Sequence, residues 1–457
     1  MSVHYGAATA SPEAQLSRAR ETGMTLALAA VVVFLAVADG ANVQLSLGYG
    51  LSVKNAILYC VLVALAAKIV IQHSFELELR GLHAQFIVLI AYSMLSYVIC
   101  AFVIDYSRYD YIHSAMMLKG KIVDHFIFFL VFFYGLRESG NAHRLVRFLL
   151  MGAVFANALA VLDALGFVRL GDFEIRDDGR VGGVIGESNQ CGAYAAMLLP
   201  GMVAAALTAR GIRRTLWWLG TMISAIALVM TVSRGAYVGV LVAILWASLL
   251  LSRHLPIGRI AAAGAIGLVV VIVVLAVFGA SYGTLIADRV IGQSTSGDMV
   301  NVSSGRTEIW ATALMKMAET PLTFLTGYGW DVYALMPFRY ASHNHYLWFW
   351  FDLGFVGLLC GLLQFALPVR YARRALDRLP AEERPVVIAF IVGTLAFGIA
   401  AFFVNLFSPW AWFWAYAGLV MRIAVNARNR TSDRIVPALQ ESQPERANRF
   451  GWSASAR

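Results

Sequence analysis

Charge is what this 457-residue chain has least of: Asp, Glu, Lys and Arg make up 14%, where a soluble domain carries about a quarter. With 60% hydrophobic residues and a mean hydropathy of +0.69, that deficit excludes a soluble enzyme. Cysteine is scarce too. Cys60, Cys100, Cys191 and Cys360 all fall in apolar stretches at no metal-ligand spacing, which argues for helix packing and against a disulfide framework. No internal repeat is evident. Outside the apolar runs there is no His/Cys cluster, and the carboxylate pairs Asp177-Asp178 and Asp105 with Asp110 lack a ligand set, so they read as solvated loop charges. No metal and no cofactor is expected.

What is abundant is the long apolar run. Stretches of roughly twenty residues, enough to cross a bilayer core, recur near 24–38, 55–72, 84–104, 117–136, 145–165, 189–208, 215–232, 235–252, 260–282, 343–367, 386–405 and 410–425. The expectation is an all-α integral membrane protein of about 12 transmembrane helices. Basic residues orient it. With the N-terminus in the cytoplasm, the inside connections hold Arg137, Arg144 and Arg147, then Arg210, Arg213 and Arg214, then Arg370, Arg373, Arg374 and Arg378. An even number of spans returns the C-terminus to the same side. The net charge of +9 is therefore a topology signal, and no nucleic-acid partner follows from it. Three segments are expected: a cytoplasmic N-terminal stretch 1–23, a membrane domain 24–425, and a disordered cytoplasmic tail 426–457. Ala36-Val37-Ala38 after Arg18 and Arg20 mimics a signal-peptidase site, here expected to be an uncleaved first span.

One outer loop, 283–342, is long enough to be functional. Within it, Ser303-Ser304-Gly305 precede Arg306-Thr307-Glu308 and an apolar pattern at Ile309, Trp310, Ala313, Leu314 and Met317, the signature of a capped amphipathic helix. Gly327-Tyr328-Gly329-Trp330 reads as a turn. The loop ends at His343-Asn344-His345. On helical spacing His343 lies eleven residues before Gly354, three turns along one face, above a small-residue seam of Gly354, Gly357 and Gly361. His345 points away, so His343 is the candidate for chemistry and His345→Ala is expected to be mild. Asp352 falls half a rotation from His343. With Lys68, Asp124 and Asp163 it is either an ion pathway or a paired structural group.

Three arginines sit at membrane borders: Arg180 in Arg180-Val181-Gly182-Gly183, Arg234 in the tight Ser233-Arg234-Gly235 hairpin, and Arg306 at the helix start. Each is either an interfacial anchor or an anion ligand. Guanidinium groups bind phosphate oxygens bidentately, and a helix N-terminus adds to that pull. Lys119 and Lys121 either contribute to the same site or anchor headgroups. Trp348, Trp350, Trp410, Trp412 and Trp414 read as interface belt and packing.

These residues in this order resemble the bacterial O-antigen ligases, within a broader superfamily of membrane glycan ligases and polymerases. The resemblance is carried by His343-Asn344 with Gly354 and Gly357, Ser233-Arg234-Gly235, Gly305-Arg306 with Trp310, and Arg180-x-x-Gly183 leading to Ser188-Asn189. Gln190 departs from the family pattern. The resemblance implies a fold of the type C glycosyltransferase class, with a long, partly helical periplasmic loop, in the bacterial inner membrane. It implies a metal-independent transfer of polysaccharide from undecaprenyl pyrophosphate to a sugar hydroxyl of the lipid A–core, among membrane lipids, at a site facing the periplasm. His343 would be the general base; Arg234, Arg306 and Arg180 would bind the pyrophosphate. Asn344, Lys119 and Lys121 would support them, with Asn344 either orienting the imidazole or touching sugar. An O-antigen polymerase, a protein O-oligosaccharyltransferase and a secondary transporter or flippase are the alternatives.

Overall fold

Apolar segments surrounded by lipid must satisfy their own backbone, and helices do so within one segment. The computed structural model describes residues 12–40, 46–48, 51–72, 77–104, 106–168, 180–182, 187–254, 303–336, 338 and 341–441, with isolated positions between 258 and 288. Its helices are α1 (Pro12–Gly40), α2 (Val53–Gln72), α3 (Arg80–Ile99), α4 (Tyr111–Leu118), α5 (Asp124–Tyr134), α6 (Ser139–Ala164), α7 (Ser188–Thr208), α8 (Ile212–Met230), α9 (Arg234–Leu250), α10 (Arg306–Ala318), α11 (Leu322–Thr326), α12 (His345–Ala375), α13 (Arg384–Ala400) and α14 (Trp410–Glu441). Besides these, the described residues hold one small antiparallel ribbon, β1 (Ser46–Gly48) with β2 (Leu51–Ser52). Six helices, α1, α2, α3, α6, α7 and α12, are long and apolar enough to cross a membrane, and α9 and α13 are shorter apolar helices. The chain is an all-α, multi-pass membrane protein. The expected span at 260–282 and the first part of the loop, 283–302, lie almost wholly outside the described residues. Helix α14 continues past position 426, where the sequence starts the tail.

Two packing devices build the interior. Helix α13 runs between α7 and α9, where Gly393 meets the Met197 backbone and Gly239 meets the Ala396 carbonyl. Neither position has room for a Cβ, and backbones approach this closely only through small residues. The other device is aromatic. Trp410, Trp412 and Trp414 are buried, and α14 carries them against Phe86, Phe129, Phe365 and Phe397. These tryptophans are interior packing and form no interface belt.

Two spans differ from the sequence expectation. The run at 117–136 is not one α-helix: Lys119–Val123 form a wide π-helical turn between α4 and α5. In an α-helix, residues five apart diverge, whereas a π turn aligns them. The alignment sets Lys119 Nζ 3.0 Å from the Asp124 carboxylate, which also accepts from Asn55 and Tyr59.

The larger correction concerns α12. His343 and Gly354 do not share a helical face, because the helix begins only at His345 and Gly354 breaks it with φ 60°. Glycine adopts this left-handed conformation without a Cβ clash. The limb 345–353 therefore folds back on the limb 355–375, placing Phe349 against Gly357 and Gly361 and Tyr346 against Gly361 and Phe365. The small-residue seam closes α12 on itself. The break leaves the carbonyls of Phe351 and Asp352 open, and they accept N–H groups of Tyr328 (2.8 Å) and Gly329 (2.9 Å). Buried Asp352 then takes the N–H groups of Asp331 (3.2 Å) and Tyr333 (2.9 Å) on its carboxylate. Asp352 thus clamps the 327–333 segment to the membrane helix, and among the sequence alternatives it is the structural one.

Candidate functional site

The tight hairpin between α8 and α9 is the first wall. Only Thr231, Val232 and Ser233 connect the two helices, and Val232 turns the chain with φ 45°. Ser233 Oγ caps α9 by accepting the N–H of Ala236 at 3.4 Å. Arg234 is thereby the first residue of α9. Its Nη2 donates to Ser304 Oγ at 2.7 Å.

Ser304 opens the second wall. Ser304 (φ 54°) and Gly305 (φ 78°) are consecutive left-handed residues, and they turn the chain so that α10 starts at Arg306. The N-cap position is Gly305, which has no side-chain cap bond; Ser303 Oγ, two residues earlier, accepts the N–H of Thr307 at 3.2 Å. One turn further along, Trp310 Nε1 donates to the Ser342 carbonyl at 2.8 Å. Helix α10 is therefore fastened at its start to Arg234 and along its side to the residue before His343.

His343 forms the third wall. It is partly exposed and holds φ 45°, between a fully buried Ser342 and a buried Asn344. Ser342 Oγ donates to Asn405 Oδ1 at 3.0 Å. Asn344 Oδ1 accepts from Tyr346 N–H and Leu347 N–H, both at 3.0 Å, so this side chain is the N-cap of α12. His345 N–H donates to the Ala401 carbonyl at 2.8 Å.

Helices α9 and α10 are thus joined at their starts, and the residue before His343 is fastened to α10 one turn along; helix starts carry partial positive charge that favours an anion. Among the described residues four non-glycine positions have positive φ: Val232, Ser304, Asp331 and His343. Three of the four shape these helix starts. Such backbone costs on the order of 1–3 kcal/mol per residue and persists where surrounding contacts enforce it.

The other expected residues lie at graded distances from this cluster. Arg180 docks on the same hairpin, its Nε on the Thr231 carbonyl (3.0 Å) and its Nη2 on Asn189 Oδ1 (2.9 Å). Ser233 Oγ reaches the same Asn189 oxygen at 3.3 Å. Arg180 is buried, behind Arg234. Gln190, the departure from the family pattern, accepts the N–H groups of Phe407 and Ser408. Lys121 Nζ lies over the rings of Trp348 (5.0 Å) and Phe407 (4.3 Å), against the first limb of α12. Lys119 turns the other way, to Asp124, beside a cavity of about 290 Å³ of mixed lining, with Lys54, Asn55, Asp124 and His125 among Phe34, Phe128 and Phe407.

His345 sits at the opposite extreme from a mild surface position. It is 1% exposed, within ring contact of Trp348, Phe349 and Trp410. Removing its ring would open a cavity, so His345→Ala is expected to cost stability whatever it does to turnover. Ser304 and Asn189 appear in the sequence motifs without the roles seen here, and Ser342 and Thr231 were not singled out. Their one signal is adjacency: Ser304 precedes Gly305-Arg306, Ser342 precedes His343, and Thr231 precedes Val232-Ser233-Arg234.

Residues 219–362 match the protein family described as O-Antigen ligase. The matched segment starts in α8 and ends in the second limb of α12, so it contains Arg234, Arg306 and His343, while Arg180, Lys119 and Lys121 lie outside it. No curated protein matches the chain. The match to that family is confined to this segment, which carries the starts of α9, α10 and α12.

Proposed function

We propose that this protein is an O-antigen ligase of the bacterial inner membrane. It transfers polysaccharide from undecaprenyl pyrophosphate to a sugar hydroxyl of the lipid A–core, at a periplasmic site, with both termini cytoplasmic. One observation carries the proposal. Arg234 bonds Ser304 beside Arg306, and Trp310 of the same helix bonds Ser342 beside His343, so one helix draws both arginines and the histidine to a common place. The match to the O-antigen ligase family over residues 219–362 supports a lipid-linked glycan as substrate.

The chemistry follows from these residue types. His343 Nε2 or Nδ1, neutral, takes the proton of the acceptor hydroxyl. The hydroxyl oxygen bonds to the anomeric carbon as the bond from that carbon to the pyrophosphate oxygen breaks. Pyrophosphate is a good leaving group without protonation, and what the transition state requires is neutralisation of the departing charge. Arg234 and Arg306 provide it, helped by the starts of α9 and α10. Arg180 holds the hairpin from behind and Lys121 adds positive charge along α12. Asn344 holds the helix start that positions His343. Attack from the face opposite the leaving group inverts the anomeric centre. No step calls for a metal.

A gel assay of the purified protein and its His343→Ala variant tests this, with undecaprenyl-pyrophosphate glycan supplied with and without lipid A–core. The expected result is an acceptor-dependent band in the parent that falls by about 10²–10⁴-fold in the variant, the usual worth of a positioned base. Carrier-linked chains that lengthen without lipid A–core would make the protein a polymerase. A glycan appearing on a polypeptide would make it an oligosaccharyltransferase. Glycan moved across the membrane with no new bond, undiminished in the variant, would make it a flippase.

A further inference from the structure

The end of the bundle remote from His343 holds a second cluster of arginines. Helix α7 ends at Thr208 and α8 begins at Ile212. Between them Gly211 takes φ 55° and folds the connection against the start of α6. A cavity of about 470 Å³ lies there, lined by Arg147 of α6, Thr208, Ala209, Arg210, Gly211, Ile212, Arg213 and Trp217. Three arginines are among its lining residues and no Asp or Glu is. None of the three side chains makes a hydrogen bond or an ion pair among the described residues. The Nε of Arg147 is buried with no protein partner there.

A preference for basic residues on one side of a membrane accounts for the presence of arginines here. It does not account for their convergence, since Arg147 comes from a different helix, some sixty residues earlier, and meets Arg210 and Arg213 over one cavity. Nor does it account for a buried guanidinium nitrogen left open. Guanidinium geometry matches phosphate oxygens, the first N–H groups of α8 add positive potential at the rim, and Trp217 suits the zone where headgroups meet acyl chains.

We propose that this cavity is a binding site for a phosphate group, supplied by the headgroup of an anionic membrane phospholipid. The lipid would seal the α6–α7–α8 junction from the membrane side, at the end away from the transfer site. The proposal does not depend on the O-antigen reaction.

Thermal unfolding of the full chain in detergent tests it, after removal of co-purified lipid, during titration with phosphatidylglycerol, with phosphatidylcholine, or with inorganic phosphate. Phosphatidylglycerol is expected to raise the melting temperature at concentrations where phosphatidylcholine does not. The triple variant R147Q/R210Q/R213Q should move the midpoint of that titration by about 100-fold, roughly fivefold per arginine. R213Q alone, at an exposed residue that leaves the helix junction intact, should move it by about fivefold. R144Q/R214Q removes two arginines outside the cavity's lining and controls for general surface charge; it should move the midpoint far less than the triple variant does. The proposal is overturned if the triple variant and R213Q keep the parental midpoint, or if R144Q/R214Q loses the response as fully as the triple variant. Stabilisation by inorganic phosphate and not by phosphatidylglycerol would overturn the lipid as occupant.

Discussion

The meeting point of α9, α10 and α12 and the seam where α13 threads between α7 and α9 show opposite uses of the backbone. At the meeting point the chain is strained: Val232, Ser304 and His343 hold left-handed conformations, and polar side chains bond across elements. At the seam the helices are regular, small residues replace large ones, and Gly393 and Gly239 let backbones touch. Strain at the first is held in place by rigidity at the second. The lesson is that an unfavourable local conformation marks the part of this molecule where geometry matters more than stability.

Breaking the seam should have the largest effect. Gly393→Leu drives a side chain into the Met197 backbone, where overpacking costs about 1–3 kcal/mol or more; the expected outcome in size-exclusion chromatography is loss of the monodisperse folded pool, not a folded and inactive protein. At the strained point the fold should survive and turnover should not. Arg306→Ala and Arg234→Ala are each expected to lower transfer by about 10²–10³-fold with unchanged melting temperature, and near-normal turnover in Arg306→Ala would remove α10 from the site. His345→Ala sharpens the contrast in the other direction. Loss of a buried ring costs on the order of 2 kcal/mol, seen as a lower melting temperature, with transfer per folded molecule largely kept. Ser304→Ala removes one charge-assisted hydrogen bond, worth about 1.5–3 kcal/mol, so transfer should fall by about tenfold or somewhat more and Arg234 should tolerate a Ser304→Thr replacement. The smallest effect is none at all: EDTA in the gel assay should leave transfer unchanged, and rescue by Mn²⁺ or Mg²⁺ after a loss would show that arginines alone do not neutralise the leaving group.

The local setting of two candidate arginines was legible in the sequence, because each sits at a helix boundary that the sequence marks. Arg234 at a hairpin with almost no loop and Arg306 at a helix start are each seen where the sequence puts them. The fold class followed from composition. What stayed hidden depends on tertiary contacts that leave no periodic trace. Helical spacing put His343 and Gly354 on one face, but that inference presumes a continuous helix, and Gly354 breaks it only because Tyr328 and Gly329 stand ready to bond the opened carbonyls. Asp352 looked like a charge in the membrane. Its partners, the backbone N–H groups of Asp331 and Tyr333, come from a loop no membrane pattern describes. Lys119 and Lys121 looked alike two residues apart, and a π turn sends one to Asp124 and the other to Trp348.

The break at Gly354 also bears on how the protein is made. To the cellular machinery that inserts membrane segments, residues 345–375 emerge as one apolar stretch, of a length suited to a single tilted passage. Their final shape needs the 327–333 segment already delivered to the same side, ready to occupy the gap in the helix. Because that segment is synthesised first, the order of the chain favours correct biogenesis. A permuted chain in which 303–336 followed α12 would insert a straight helix first and have to bend it afterwards.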